Sequence, residues 1–458
     1  MKGQYYNLLR EKVIEGTTTK VPDYTRRVIH LPRIPNKAVA VVGMRRTGKS
    51  TFLWQQIDEG IRSGRSREGA LYLSFEDERL AGLEAGELGV IVEEYYRLYP
   101  RWREDRRAAF FFDEIQLVEG WERFVRRILD SETADIFLSG SSAKLLSREI
   151  ASSMRGRAVE APVYPFSFRE YLNHRGRDIA ARPQAPSRIE RSRLDHELLN
   201  YLEVGGFPEV QHLTPRDRLE VLKVYVDVVI LRDIIERHRV TNPVALRWMV
   251  RHLLSNPCGM FTVHRLFRDL RAQGIAVAKD TLHAIFGHVQ DAFLVHAVPV
   301  AARSERQRLV NPRKVYPIDS GLIPIFSGTG GLSWPTGKPE RARNISIIAD
   351  LGHKLETAVL MHFLRAGLEP AYVKTPGGYE VDFLVRNFDG RQALIQVAAD
   401  LAAGEVRERE VRALLEAGDL YPSARRLIIT LTPEILIDLP AAIEVQRASG
   451  WLLSEDIF

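Results

Sequence analysis

The chain of 458 residues holds one cysteine, Cys258. A lone thiol excludes an internal disulfide framework and any metal cluster built on several thiolates, and it suits a reducing compartment. No apolar run approaches the ~18 residues needed to cross a bilayer. The opening MKGQYYNLLREKVIEG also lacks the hydrophobic stretch of a secretory signal. The expectation is a cytoplasmic protein with no membrane partner. Acidic residues are scarce in the first three quarters: residues 1–344 carry 54 Lys and Arg against 42 Asp and Glu, whereas residues 345–458 carry 11 against 17. Basic excess suits a phosphate-bearing partner such as nucleic acid, and it also arises from arginines on solvated helices.

What is present is apolar residue in quantity, 45% of a chain long enough for more than one core. Four short runs, AVAVV (38–42), ALYLSF (70–75), AAFFF (108–112) and DIFLSG (135–140), lack period-2 alternation, as strands buried on both faces should. The helical patterns TFLWQQIDEGI and GWERFVRRILDSE lie between them. Strands alternating with helices predict an α/β fold with a parallel sheet. The Arg-, Pro- and Ala-rich RGRDIAARPQAPSRIERSR and the Gly- and Pro-rich SGTGGLSWPTGKPERARN (327–344) read as linkers. They divide the chain into expected domains at 1–180, 195–330 and 345–458. The middle piece reads as helical, ending in helix, helix and hairpin; the last piece reads as α+β.

GMRRTGKS (43–50) matches G-x-x-x-x-G-K-[ST] between a buried strand and a helix, the context the motif requires. Gly43 and Gly48 let the loop curl so that successive N–H groups face a phosphate, and the helix start adds its dipole. Gly43, Arg46, Thr47, Gly48, Lys49, Ser50 and Thr51 are the expected nucleotide-binding set for ATP. Lys49 would reach the β- and γ-oxygens, and the Ser50 hydroxyl would ligate Mg²⁺. The strand AAFFF runs into Asp113 and Glu114. Asp113 is the second expected Mg²⁺ residue, and Glu114 the expected base that polarises water. Ser139, ahead of Ser141, emerges at the carboxyl edge of the fourth strand, where it would bond phosphate or water, or cap a helix. Arg157, slightly ahead of Arg155, is a candidate for stabilising transition-state charge, from this chain or a neighbour.

Together GMRRTGKST, FFFDEIQLVEGWERFVR, FLSGSSAKLL, RGRAVEAPVYPFSFREYL and YLEVGGFPEV resemble the prokaryotic AAA-type ATPases of the ASCE P-loop class that carry a winged helix and a nuclease-like C-terminus. LRDIIERH (231–238) and KVYPIDSGL (314–322) also look like elements of that family. The resemblance spans nearly the whole chain and implies that Glu114 is the catalytic glutamate and Ser139 the sensor. It further implies a winged helix over 241–320 with KDTLHAIFGHVQ (279–290) as recognition helix, exposing Lys279, His283 and His288. Such a module meets DNA or docks on protein, and residues 241–300 carry only six basic and three acidic residues.

The tail would resemble the PD-(D/E)xK restriction-endonuclease-like fold, with Glu356, Asp382 and the third motif at IQVA (395–398). There Gln396 stands where an acid is expected and Ala398 where the lysine is expected, so cleavage is not expected. The resulting expectation is Mg²⁺-dependent ATP hydrolysis coupled to domain movement, possible on DNA, with a protein partner or a homo-oligomer as other options. The alternatives are a nucleotide-gated switch with little turnover, an ATP-dependent nuclease and, last, a small-molecule kinase.

Overall fold

The computed structural model describes residues 5–458 apart from 33, 105, 141–153, 155, 178–186, 303, 327–339, 403 and 436–438. Its contacts fall into two compact units, Met1–Tyr164 with Asp291–Phe293, and Pro165–Gln290 with Leu294–Phe458.

In the first unit, β1 (Ala38–Val42), β2 (Ala70–Ser74), β3 (Ala108–Asp113), β4 (Ala134–Gly140) and β5 (Ala158–Pro162) form a sheet in the order β2-β3-β4-β1-β5. Every pairing is parallel. The absence of alternation in the sequence has a direct cause. Phe110 and Phe112 enter the core on one face, with Leu71, Leu73 and Leu138, while Phe111 enters the core on the other, with Val39 and Val41. The first face is covered by apolar residues of the helices Tyr6–Thr18, Gly89–Leu98 and Trp121–Ser131, and the second by Phe52, Leu53 and Ile57 of the helix Lys49–Arg62. Phe111 stacks on Phe137 with centroids 4.6 Å apart. Strand β5 was not legible as a run: AVEAP is short, contains Glu160 and ends in proline, as an edge strand can.

The second unit opens with helices. Ser187 caps the helix Arg188–Val204 through a capping box with Glu190, so the end of the expected linker is helical. The helix Pro215–Val228 runs on into a π-helix over Val229–Glu236. Then come the helix Pro243–Ser255, β6 (Gly259–Phe261), the helices Val263–Ala272 and Lys279–Asp291, β7 (Val295–Val298) and β8 (Arg313–Pro317). The expected helix, helix and hairpin are present. β6 adds a third strand, giving an antiparallel sheet in the order β6-β8-β7. The helix Glu340–Arg365 takes in part of the second expected linker and leads to a mixed sheet. That sheet orders β13 (Glu444–Arg447), β12 (Arg425–Thr430), β11 (Gln392–Ala398), β10 (Glu380–Arg386) and β9 (Ala371–Lys374). Among the described residues no helix is long and apolar enough to cross a membrane.

Two motifs far apart in sequence, YLEVGGFPEV and KVYPIDSGL, meet here. Asp319 accepts from the Gly206 N–H at 2.7 Å and from the Gly321 N–H at 3.0 Å. A Cβ on Gly205 would lie 2.0 Å from the same carboxylate, so the close approach requires glycine. Burial pushes the Asp319 carboxyl up to about 6, although both N–H donors oppose the shift. Because the folded value lies above the free one, the group's contribution to stability is complete below about pH 4 and is lost as pH rises through about 6. Asp319→Ala leaves two buried donors without this acceptor. It is expected to cost about 2–5 kcal/mol in urea unfolding; a loss within 0.5 kcal/mol, in the range of an ordinary surface change, would refute the assignment.

Candidate active site

The site assembles at the carboxyl edge of the parallel sheet. Strand β1 ends at Val42 and the chain turns through Gly43, whose φ of +154° and close neighbour, the Val163 carbonyl 2.3 Å from where a Cβ would stand, leave no room for a side chain. Arg46 (φ +66°) and Gly48 (φ +95°) take left-handed backbone, and the helix starts at Lys49. The turn is braced from within. The Thr47 hydroxyl donates to the Met44 carbonyl at 2.9 Å, and Lys49 Nζ donates to the same carbonyl at 3.1 Å. Thr47 is fully buried and its side chain serves the loop itself. Ser50 and Thr51 are half-buried in the first helical turn, and Arg46 is exposed.

Across the sheet the pairing registers place Ser139 beside Val41 and Asp113 beside Ser74. Ser139 is fully buried and joins Asp113 at the end of β3 to Glu114 just beyond it. Its hydroxyl donates to Asp113 Oδ1 and accepts from the Glu114 N–H at 2.9 Å. The Tyr72 hydroxyl holds the other oxygen of Asp113 at 2.6 Å, and burial beside that carboxylate raises the phenol's pKa. Glu114 leaves the strand in left-handed backbone, φ +52°, a costly conformation for a non-glycine residue. Its carboxylate lies 3.9 Å from Lys49 Nζ and accepts from Gln116. Burial raises the Glu114 pKa above the usual carboxylate value, with Lys49 opposing the shift and Asp113 adding to it. The structure thus brings Gly43, Gly48, Lys49, Asp113, Glu114 and Ser139 into one locale.

Arg157 lies elsewhere. Its carbonyl accepts from the Ala38 N–H at the amino end of β1, the edge opposite the loop, and its guanidinium pairs with Asp130. Five residues of strand, roughly 16 Å, separate that edge from Val42. Within this chain Arg157 therefore stands apart from the loop and from the two acids. Arg155, Ser141 and Ser142 lie outside the described residues.

Sequence reading missed Arg27. It is 5% exposed, its guanidinium donates to the Thr47 carbonyl at 2.7 Å and to the Tyr164 carbonyl, and its backbone exchanges hydrogen bonds with Gln55. Arg27 thereby ties the back of the loop to the helix that follows and to the end of β5. No motif surrounds it. Tyr72 was also missed, although a phenol within an apolar run of buried strand asks for a polar partner.

In the second unit Lys279 and His283 are exposed, as expected of them, but His288 is half-buried with its ring stacked on His238 at 3.7 Å. Extending the count to residue 320 gives eleven basic against five acidic residues, a stronger basic balance than the helices alone suggest. In the tail, Glu356 and Asp382 meet on Lys314 Nζ, each at 2.9 Å, and the Gln396 side-chain oxygen accepts from the Asp382 N–H at 3.4 Å. Ala398 supplies no cation. Among the described residues no group of three His, Cys, Asp or Glu is arranged to hold a metal ion.

Residues 35–172 match the model of an AAA domain, and residues 195–332 match a domain of unknown function, DUF8612. Neither match covers the tail. The uncharacterized protein MJ1544 of Methanocaldococcus jannaschii is 30% identical over 395 residues, 85% of this chain and 81% of that protein. An uncharacterized protein of Haemophilus influenzae is 28% identical over 417 residues, 90% of this chain and 93% of its own. Among solved structures, the Walker-type ATPase PABY2304 of Pyrococcus abyssi aligns over 70% of this chain and 95% of its own, with 14% identity and a TM-score of 0.38. The chain therefore belongs to the family of the MJ1544 protein, and its residues 35–172 are an AAA domain of the P-loop ATPase class.

Proposed function

We propose that the AAA domain hydrolyses ATP at the loop 43–50, with Glu114 as the base that orients and partly deprotonates water. The observation that carries this reading is the Ser139 bridge. One buried hydroxyl holds the Asp113 carboxylate and the Glu114 backbone together, and the Glu114 carboxylate lies 3.9 Å from Lys49 Nζ. Lys49 donates to a neutral carbonyl of its own loop, a partner it can exchange for a phosphate oxygen, to which an ammonium bonds more strongly. The raised pKa of Glu114 makes it a better proton acceptor once ionised.

The residues present fit Mg²⁺. Ser50 and Asp113 offer oxygen donors, the hard ligands this ion prefers. Asp113 is held in one orientation by Ser139 and Tyr72, as a carboxylate acting through a bound water needs to be. When bound with nucleotide, Mg²⁺ would neutralise charge on the β- and γ-phosphates.

Hydrolysis in ¹⁸O-enriched water tests the nucleophile directly. Label is expected in the released orthophosphate at every turnover. Unlabelled phosphate, or transfer only to an added hydroxyl acceptor, would return the protein to the kinase reading. The slow-switch reading draws on two contacts: in this structure Glu114 is engaged by Lys49 and by Gln116. Its signature is bound ATP with no labelled product.

A further inference from the structure

The tail contains a buried charge cluster that the nucleotide site does not use. Three carboxylates converge on one ammonium: Lys314 Nζ lies 2.9 Å from Glu356 Oε1, 3.0 Å from Glu380 Oε1 and 2.9 Å from Asp382 Oδ1. The acids come from the helix Glu340–Arg365 and from β10, while the lysine comes from β8 of the three-stranded sheet. Lys314, Glu356 and Asp382 are each less than a tenth exposed. The Tyr316 hydroxyl donates to the same Glu356 Oε1 at 2.6 Å, and the Val397 N–H donates to the other Asp382 oxygen, Oδ2, at 3.0 Å. Two strands of different sheets thus meet on a charged contact that is buried at Lys314, Glu356 and Asp382, while the Glu380 side chain is 32% exposed.

An ammonium seated between three carboxylate oxygens occupies the place where a divalent cation would neutralise them. Oxygens at 2.9–3.0 Å suit N–H donors, whereas Mg²⁺ or Mn²⁺ would draw them in to about 2.0–2.2 Å. A lysine activating a reaction would stand beside the cation and open to substrate. This one sits at the centre of the acids and is 5% exposed. We propose that Lys314 is the resident cation of the pocket formed by Glu356, Glu380 and Asp382, closing it to divalent metal and clasping the three-stranded sheet to the C-terminal sheet. The clasp does not depend on ATP hydrolysis in the other unit, so the two stand or fall separately.

The test uses the full-length, nucleotide-free protein. Removing one partner of a buried charge cluster is strongly destabilising, so Lys314→Met is expected to lower the melting temperature by roughly 5–15 °C. Millimolar Mn²⁺ should restore part of that loss, and adding Asp382→Asn should abolish the Mn²⁺ effect. Wild type should show no Mn²⁺-dependent shift that Asp382→Asn removes. If Lys314→Met does not fold, the decision passes to Mn²⁺ titration of wild type by electron paramagnetic resonance. Absence of a site sensitive to Asp382→Asn supports the clasp. Such a site in wild type, Mn²⁺-dependent DNA cleavage lost in Asp382→Asn, or a folded Lys314→Met indifferent to Mn²⁺ would each overturn it.

Discussion

Lys49→Ala is expected to bring orthophosphate release from ATP down to the protein-free rate and to weaken nucleotide binding by about a hundredfold or more, in the range for losing a charged group from a phosphate site. The size of the effect follows from position. Lys49 is buried at the first residue of a helix, with its ammonium turned back over the loop toward the Met44 carbonyl and Glu114. A cation in so dry a place interacts with phosphate far more strongly than in water. Its removal also leaves the buried Glu114 carboxylate without its nearest positive charge, so the Glu114 pKa should rise further. Binding of a fluorescent ATP analogue and a phosphate assay check both effects. Unchanged affinity would place the nucleotide elsewhere.

The second large effect concerns Glu114. Glu114→Gln is expected to lower the turnover number by about 10²–10⁴-fold, the usual worth of a general base, while ATP remains bound. The change keeps the shape of the side chain and removes a carboxylate whose ionisation burial already disfavours, so the fold should not suffer. In wild type the base must be ionised to act. The raised pKa of Glu114 therefore predicts that turnover falls as pH drops through a value above the ordinary glutamate value of about 4.3. Glu114→Gln should lack that acid limb. A variant with wild-type turnover would remove Glu114 from the chemistry.

The nucleotide loop was readable because its chemistry needs particular residues at fixed spacing between a strand and a helix. The buried strands were readable because Phe110, Phe111 and Phe112 fill both faces of one sheet, which forbids alternation. Ser139 was legible as a residue at the right edge, but its bonds to Asp113 and Glu114 depend on β4 lying next to β3, and strand order is not written in a single run. The position of Arg157 was hidden for the same reason. Its place in the chain, shortly after β4, did not reveal that it returns to the amino edge beside Ala38. Arg27 and Tyr72 act through hydrogen bonds to groups 20 and 41 residues away. In the tail, Lys314 reaches Asp382 from a strand 68 residues before it. Such long-range pairings leave no local pattern.

The central claim is that the pairing of loop 43–50 with Asp113 and Glu114 is a hydrolytic site. Continuous orthophosphate release at saturating ATP, with and without Mg²⁺, tests it most directly when the wild-type protein and Lys49→Ala are measured side by side. Sustained multiple turnovers by wild type, lost with chelator and absent from Lys49→Ala, are predicted. Release by wild type no faster than by Lys49→Ala would contradict the account.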